Sequence, residues 1–411
     1  MINKNMSEKT KVAMVGCFDT KAEDFAYLHS CLTKGGAEVV SINTGVLGST
    51  DQFPVNFEAD KVAEAAELNI AALREANDRG EALIVMGKGA GQILGNLFQK
   101  NEINGVIGMG GGGGTFVAIE AMKTLPFGVP KLCLSTLATK DLSEKIEDKD
   151  IVLMPSIVDV AGLNRISRVL INQAAGAILG MANMAPLKDS DTKGSIALSV
   201  FGNTTVCANR ASEILKSKGY DVLAFHAVGT GGKTMESLME EGVFDAVLDL
   251  TTTELADELC GGICSAGPHR LKSASKMGLP QVVVPGCIDM VNFAAKSTVP
   301  EKYQDRHLFS WAPDVTLMRT NKEENDILGR QIAERLNSSK NAVTVVLPLN
   351  GLSKIGAKGE VFYDAEADKQ LFKSICEHLD PKIKVVEVDV NVNTPEFAEV
   401  ITEELLLLLD K

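Results

Sequence analysis

The residues best suited to chemistry lie in two glycine-rich turns, each placed between a predicted β-strand and a predicted helix. The first turn comprises Gly110, Gly111, Gly112, Gly113, Gly114 and Thr115, and the second comprises Gly229, Thr230, Gly231 and Gly232. Glycine lets the backbone approach a ligand closely, and a helix N-terminus adds partial positive charge. Two such turns in corresponding places favour a phosphate or carboxylate site. The alternative is that the glycines only permit tight strand-to-helix turns.

A second group of polar residues follows the predicted strands at the expected mouth of the sheet. Asp19, Thr20 and Lys21 follow the first strand and supply an acid, a hydroxyl and a cation. Asp19 would bind ribose or magnesium, Thr20 a phosphate and Lys21 a charged group. The alternative is an N-cap role for Asp19 or Thr20, with Lys21 in solvent. Thr44 and Thr136 also follow strands close to the expected ligand crevice.

A third group lies in the second half of the chain. A loop of small residues, 261–268, ends in His269 and Arg270 ahead of a predicted helix. An arginine in such a loop is free to grip a carboxylate or phosphate. Cys287 lies at another strand end, beside an acid, and with His226 or His269 it would form a nucleophile and its base. The alternative is that Cys287 is a buried structural thiol.

Two nucleotide-binding motifs are nearly matched. The segment Ala227–Thr234 departs from the P-loop pattern G-x-x-x-x-G-K-[ST] at Ala227, and in a P-loop Lys233 would reach the phosphates. The spacing Gly108-x-Gly110-x-x-Gly113 matches the dinucleotide fingerprint. A run of five glycines satisfies almost any glycine pattern, however, and its strand is not the first of its sheet. Neither motif on its own predicts a P-loop NTPase or an NAD-binding protein.

Composition restricts the class of protein. A chain of 411 residues is long for one core and predicts two domains. The net charge of −13 provides no basic field for nucleic acid or anionic lipid. No apolar run approaches the ~20 residues of a membrane span, and the first residues lack a signal-peptide core. Eight cysteines without a CxxC pair, and five histidines without ligand spacing, predict reduced thiols, no structural zinc and a cytoplasmic location.

The order of the predicted elements indicates an α/β fold with two Rossmann-like, doubly wound domains and mainly parallel sheets. The polar, aperiodic segment 186–194 predicts a linker, which gives domains at 1–187 and 188–411. Predicted strands are at 11–16, 38–42, 82–86, 105–108, 131–135, 151–154, 195–201, 221–225, 245–250, 281–284, 342–347 and 383–389. Predicted helices include 22–34, 163–184, 206–216, 365–378 and 395–409. In such sheets ligands bind beyond the carboxyl ends of the strands.

A faint internal repeat accompanies this pattern. Residues 11–42 and 195–225 both read as a strand, a turn with glycine and threonine, a helix, a Lys-Gly pair and a second strand. The repeat indicates either a duplicated α/β unit or two independent uses of one arrangement.

Several ordered motifs together resemble one known family. They are Gly16-Cys-Phe-Asp-Thr-Lys21, Gly110-Gly-Gly-Gly-Gly-Thr115, Phe201-Gly-Asn-Thr-Thr205, Gly229-Thr-Gly-Gly232 with Met235-Glu236, Ser265-Ala-Gly-Pro268 with Arg270-Leu271, and Leu317-Met-Arg-Thr320. The chain resembles the Tm-1-like ATP-binding protein family (UPF0261) over effectively its whole length.

The resemblance implies two Rossmann-like subdomains, ATP binding with Mg²⁺ as companion of the triphosphate, and a homodimer. It places ATP contacts first on Gly110–Thr115 and on Asp19, Thr20 and Lys21. Further contacts are expected at Thr44, Thr136, Gly202, Thr204, Thr205 and Arg210 and at the backbone of Gly229, Thr230, Gly231 and Gly232.

We therefore expect an ATP-binding cytoplasmic protein. The more specific hypothesis is an ATP-dependent phosphoryl- or adenylyl-transfer enzyme that acts on a small carboxylate or sugar acid. Two rivals stay open at this point. One is a nucleotide-sensing or partner-binding protein without turnover. The other is a small-metabolite hydrolase or lyase that uses Cys287, His269 and Arg270.

Overall fold

The described part of the chain forms two compact units. The computed structural model describes residues 9–184, 192–340 and 342–410. The units divide between residues 188 and 189. The predicted domain boundary and most of the predicted linker, 186–194, lie outside the described residues. Within these residues, no helix combines the length and the apolar character needed to cross a membrane.

The first unit is built on one parallel sheet of five strands. The strands are β1 (Lys11–Gly16), β2 (Glu38–Asn43), β3 (Gly105–Gly110), β4 (Lys131–Ser135) and β5 (Val152–Pro155). The helices are α1 (Ala22–Lys34), α2 (Ala59–Ala65), α3 (Ile70–Ala76), α4 (Arg79–Gln99), α5 (Gly112–Met122), α6 (Ser143–Ile146) and α7 (Arg165–Asn183). The sheet order is β2-β1-β3-β4-β5, and every pairing is parallel.

Both faces of this sheet are covered, because side chains alternate along each strand. Ala13 and Val15 of β1 pack with residues of α2, α4 and α5, whereas Val12 and Met14 pack with residues of α1 and α7. The order of the strands reverses at β1, which has β2 on one side and β3 on the other. The carboxyl ends of β1 and β3 therefore form the topological switch point, where doubly wound sheets bind ligands.

The second unit contains two sheets. Its strands are β6 (Ser195–Val200), β7 (Asp221–His226), β8 (Ala246–Thr251), β9 (Gln281–Gly286), β10 (Met290–Phe293), β11 (Leu308–Ala312), β12 (Val315–Arg319), β13 (Val343–Pro348) and β14 (Lys384–Val388). Its α-helices are α8 (Thr205–Ser217), α9 (Thr230–Glu240), α10 (Thr253–Cys260), α11 (Ser273–Met277), α12 (Lys322–Asn337), α13 (Ala365–His378) and α14 (Pro395–Leu409). A parallel sheet has the order β14-β13-β9-β8-β6-β7, and a small antiparallel sheet has the order β10-β12-β11.

The fold confirms the α/β, Rossmann-like class and corrects one element. The prediction of a strand at 82–86 is wrong, because these residues lie in α4. Asp78 begins this helix by accepting hydrogen bonds from the amides of Gly80 and Glu81 at 2.7 and 3.0 Å. A short apolar run does not distinguish a buried strand from a segment of a buried helix.

Topology also shows that the two glycine turns are not in corresponding places. The first turn follows β3, which lies inside its sheet, and the second follows β7, which lies at the edge of its sheet. The expectation of equivalent turns is therefore wrong. The repeated segments do correspond, since β1-α1-β2 and β6-α8-β7 both end in an edge strand.

Candidate functional site

A cavity of about 490 Å³ opens at the switch point of the first sheet. Its lining comes from the segments that follow β1, β2 and β3 and from α3 and α4. The lining residues expected from the sequence are Asp19, Thr20, Lys21, Thr44, Gly110, Gly111, Gly112, Gly113 and Gly114. A volume of this size is within the range of about 300–1,000 Å³ for small-molecule sites. The structure thus brings three separate stretches of sequence to one space.

The glycine turn supplies free backbone donors to this cavity. Gly111 is the N-cap of α5, and the amide of Thr115 makes the first intrahelical hydrogen bond, to the oxygen of Gly111 at 2.8 Å. The amides of Gly112, Gly113 and Gly114 therefore have no intrahelical acceptor. Among the described residues, no other group accepts a hydrogen bond from them. Three unpaired amides thus lie at the positive end of an 11-residue helix, an arrangement that suits an anion.

Cations exceed acids around the cavity. Its charged lining residues are Lys21, Arg74, Arg79, Asp19 and Asp78. Arg79 lies beside the glycine turn, since a Cβ atom built on Gly113 would lie 3.2 Å from its Nη2 atom. The Asp78 carboxylate is already engaged in capping α4. A protein with a net charge of −13 thus presents a locally cationic surface beside the unpaired amides.

Asp19 presents an unsatisfied carboxylate oxygen in the segment after β1. Its Oδ2 atom accepts a hydrogen bond from the amide of Leu47 at 2.9 Å, whereas its buried Oδ1 atom has no partner among the described residues. A Cβ atom built on Gly45 would lie 2.2 Å from Oδ1, so glycine at 45 is required to admit this carboxylate. A buried, unpaired carboxylate oxygen is suited to a ribose hydroxyl or a cation.

Thr44 and Cys17 meet at the floor of the same cavity. The Thr44 hydroxyl lies 3.5 Å from the Cys17 sulfur. Burial raises the pKa of the Cys17 thiol above its usual value, so the thiol stays protonated and unreactive.

Two predicted threonines lie elsewhere in this unit. The Thr115 side chain is fully buried and bonds the oxygens of Gly110 and Ser135 at 3.3 and 2.6 Å, so it holds the turn together. Thr136 lines a different crevice, although a Cβ atom built on Gly111 would lie only 3.8 Å from its hydroxyl. Of the two, only Thr136 has a hydroxyl available to a ligand.

An internal carboxylate already occupies the second glycine turn. The amides of Gly229 and Gly232 donate to Oε1 of Glu254 at 2.8 and 3.1 Å. A Cβ atom built on Gly232 would lie 2.2 Å from Oε2 of the same side chain. Thr230 and Gly231 begin α9, and Lys233 is exposed in its first turn. Two of the four amides expected to hold a phosphate here, those of Gly229 and Gly232, are therefore used within the protein.

Arg270 is not free to bind a ligand, contrary to expectation. Its side chain is fully buried and bonds Asp249 at 2.5 Å, Glu254 at 2.6 Å and Glu236 at 3.2 Å. Burial opposes its charge, but these carboxylates outweigh that cost and raise the pKa of Arg270 well above its usual value. Arg270 therefore organises the interior of the second unit. His269 is exposed beside it.

Cys287 lacks the properties of a nucleophile. It is fully buried, and burial together with the negative charge of Asp289 raises the pKa of its thiol well above the usual value. Among the described residues, neither His226 nor His269 is hydrogen-bonded to it. A buried, protonated thiol is inert. These contacts do not support a hydrolase or lyase built on Cys287, His269 and Arg270.

The remaining predicted residues lie in the turn before α8 and in the first two turns of this helix. The Thr204 hydroxyl bonds that of Thr251 at 2.7 Å, and the Thr205 hydroxyl donates to the oxygen of Phe201 at 3.1 Å. Gly202 opens the turn. Arg210 is half-exposed and pairs with Glu213 and Glu399 at 3.5 and 3.3 Å. These side chains therefore serve the turn and the surface of the second unit.

The sequence reasoning missed the arginines of the cavity. Arg74 and Arg79 stand at the end of α3 and the start of α4. The prediction of a strand at 82–86 placed Arg79 in a polar loop ahead of that strand. For this reason the two arginines were not recognised as candidates. The Asp78-Arg-Gly-Glu81 sequence carried the missing signal, since an aspartate before a helix-forming run is an N-cap pattern.

The fold and the cavity define a protein of two Rossmann-like α/β units, the first with a cavity at its switch point that is lined by glycine amides and cationic side chains. Family models described as "Uncharacterised protein family (UPF0261) N-terminal domain" and "C-terminal domain" match residues 10–186 and 193–409. The chain belongs to the UPF0261 family, which confirms the resemblance drawn from its motifs.

Relatives match over nearly the whole chain. A UPF0261 protein of Clostridium tetani is 42% identical over 402 residues, which cover 98% of this chain and 99% of that protein. The ToMV resistance protein Tm-1(GCR237) of Solanum lycopersicum is 33% identical over 427 residues, covering 98% of this chain and 56% of the tomato protein. A solved UDP-N-acetylglucosamine 2-epimerase from Rickettsia bellii covers 98% of this chain and 96% of its own, at 10% identity and a TM-score of 0.24.

Proposed function

We propose that the first unit binds ATP, with the triphosphate on the Gly110–Gly114 turn. One observation carries the proposal: the unpaired amides of Gly112–Gly114 face a cavity that also presents Lys21, Arg74 and Arg79. Amides at a helix N-terminus and nearby cations are the groups that hold phosphates in α/β proteins. The position at the topological switch point agrees with nucleotide binding in doubly wound sheets.

The rest of the cavity suits the other parts of a nucleotide. Asp19 offers an unpaired oxygen that fits a ribose hydroxyl or the Mg²⁺ ion that accompanies a triphosphate. Apolar side chains complete the lining and suit a base; they are Val46, Leu47, Leu73, Ala82 and Leu83. The cavity thus combines anionic, polar and apolar subsites in one space.

Calorimetric titration with ATP, ADP and AMP tests this proposal. We expect the affinity to fall from ATP to AMP as phosphates are lost. We expect Arg79→Ala and Lys21→Ala each to weaken ATP binding about ten- to hundredfold, because a hydrogen bond to a charged group contributes about 1.5–3 kcal/mol.

The matched control is Lys233→Ala, which removes an exposed lysine from the glycine turn of the second unit. This variant should bind ATP within about twofold of the unaltered protein, a change of ~0.4 kcal/mol. Loss of ATP binding in Lys233→Ala, with full binding in Arg79→Ala, would support the P-loop interpretation instead. Absence of ATP binding by the unaltered protein would refute the proposal outright.

A further inference from the structure

The first unit contains a second crevice beside the proposed triphosphate site. It has a volume of about 460 Å³ and lies where β4 and β5 end. Its lining residues are Ser135, Thr136, Thr139, Pro155, Ser156, Ile157, Val158 and Asp159. The volume again matches a small-molecule site.

Gly111 borders both spaces. It lines the cavity, and a Cβ atom built on it would lie 3.8 Å from the Thr136 hydroxyl and 3.8 Å from Oδ1 of Asp159. The Thr136 amide also donates to the oxygen of Gly110 at 3.2 Å, which fixes the two segments together. A ligand in the crevice would therefore lie next to a phosphate held on the glycine turn.

The polar groups of the crevice are free to meet a ligand. Within the described part of the chain, the hydroxyls of Thr136 and Thr139 and the carboxylate of Asp159 have no hydrogen-bond or ion-pair partner. Ser135 and Ser156 use their hydroxyls internally, for example in the 2.7 Å bond from Ser156 to the oxygen of Val158. Two available hydroxyls and one carboxylate thus face this space.

The charge of the lining selects the class of ligand. The described lining of the crevice contains no Lys, Arg or His, and its one charged residue is Asp159. A carboxylate ligand would meet repulsion there, whereas ligand hydroxyls can donate to Asp159 and accept from the threonines. The crevice therefore suits an uncharged, polyhydroxylated molecule better than the small acid expected from the sequence.

The loop that carries Asp159 is held in an unusual conformation. Ile157 has a φ of 62°, in the left-handed region that β-branched residues avoid, and its side chain is 75% exposed. Backbone strain of this kind is concentrated at binding and catalytic sites, where the fold maintains it. The exposed Ile157 side chain offers an apolar surface to the carbon face of a sugar.

We propose that this crevice binds a neutral sugar or polyol as phosphoryl acceptor, with Asp159 as the general base. The proposal rests on the proposed ATP site. The acceptor hydroxyl gives its proton to the Asp159 carboxylate, and its oxygen forms a bond to the γ-phosphorus of ATP. The bond from that phosphorus to the β,γ-bridging oxygen breaks, and ADP leaves with the electron pair.

The test measures ADP formation from Mg·ATP in the presence of glycerol, ribitol, D-ribose, D-glucose, D-gluconate or acetate. We expect at least one neutral polyhydroxyl compound to raise the rate tenfold or more over water alone, and acetate to have no effect. Asp159→Asn should lower the stimulated rate by about 10²–10⁴-fold, the usual contribution of a general base. Its Kd for ATP should stay within about twofold of that of the unaltered protein, equivalent to ~0.4 kcal/mol.

Two further variants keep the test decisive. Asp141→Asn removes an exposed carboxylate outside the crevice and should leave the stimulated rate unchanged. Thr136→Val should raise the KM for the acceptor without a matching change in the Kd for ATP.

The outcomes separate this inference from the proposed function. If the protein binds ATP but no compound stimulates ADP formation, the acceptor site is refuted and the ATP site stands. If Asp159→Asn weakens ATP binding only when Mg²⁺ is present, Asp159 is a metal ligand and the inference is wrong. If ATP does not bind, both proposals fail.

Discussion

At the scale of one residue, Glu254 shows that the backbone amides of a glycine turn in this protein bind a carboxylate. Its carboxylate accepts hydrogen bonds from the amides of Gly229 and Gly232. A carboxylate of the protein itself therefore occupies this turn. The amides of Gly112–Gly114 form the same kind of cradle, but no described side chain fills it. The same backbone chemistry therefore serves folding in one unit and, in our proposal, ligand binding in the other.

Asp257 gives a residue-scale prediction for pH dependence. Burial raises its pKa from 3.8 to about 7, although bonds from Asn292 and from the Cys264 amide lower it in part. Between about pH 4 and 7 the folded protein keeps a proton that the unfolded chain releases. The contribution of Asp257 to the free energy of unfolding therefore decreases as pH rises through this window.

Asp257→Asn removes that titration. We expect the free energy of unfolding of the variant, minus that of the unaltered protein, to increase as pH rises from 4.5 to 7. Urea denaturation at several pH values measures both. The Asn292 amide can turn over to pair with the new side chain, since its oxygen has no partner among the described residues. Parallel pH profiles for the two proteins would show that Asp257 titrates normally.

Helix α4 shows at the scale of the element how glycines set the distance between helices. A Cβ atom built on Gly87 would lie 3.0 Å from Cβ of Glu120, and one built on Gly91 would lie 2.6 Å from the Thr124 methyl carbon. These two glycines, four residues apart, allow α5 to pack closely on α4. The N-terminus of α5 is the proposed phosphate site, so this packing helps to fix its position.

Two substitutions in α4 compare a glycine that is packed against α2 with a glycine that has open space beside it. A Cβ atom on Gly89 would lie 1.8 Å from the backbone oxygen of Val62, so we expect Gly89→Ala to lower the free energy of unfolding by about 1–3 kcal/mol. Gly95 has no neighbour within 4 Å of such an atom, and Gly95→Ala should stabilise the protein by about 0.5–1 kcal/mol through helix propensity. Urea denaturation measures both. Equal effects of the two variants would contradict the packing argument.

The elements also show what the sequence could and could not predict. Helices α13 and α14 were predicted with their observed bounds, because each has a clear cap, at Asp364 and Thr394, and an apolar periodicity. Helix α4 was missed because its glycines read as a break and its apolar run reads equally as a strand. The antiparallel sheet β10-β12-β11 was not predicted, since pairing between separated strands leaves little local signal.

Part of the candidate site was also predictable from the sequence. Residues that follow strands, such as Asp19, Thr44 and Gly110–Gly114, converge because parallel strands end at one edge of the sheet. Arg79 depends on where a helix begins and Asp159 on how a loop folds back. The Asp78 N-cap pattern is a local signal for the first position, whereas no local pattern predicts the second.

At the scale of the whole molecule, the two parallel sheets differ in what lies at their switch points. The second sheet also reverses its order at its first strand, β6, which lies between β7 and β8. There, Thr204 after β6 and Thr251 at the end of β8 are joined by a 2.7 Å hydrogen bond, and Arg270 donates to the oxygen of Thr251 at 3.1 Å. Side chains of the second unit are thus bonded to one another in the region where the first unit has a cavity. We infer that nucleotide binding belongs to the first unit.

Hydrogen–deuterium exchange of the full chain with and without ATP tests this claim most directly, because it reports on the backbone amides themselves. The account predicts that ATP slows exchange in peptides covering Gly111–Gly114, whose amides lack acceptors in the free protein. It predicts no change in peptides covering Gly229–Gly232, where the amides of Gly229 and Gly232 are already bonded to Glu254. Protection confined to Gly229–Gly232, or none at Gly111–Gly114 while ATP is bound, would contradict it.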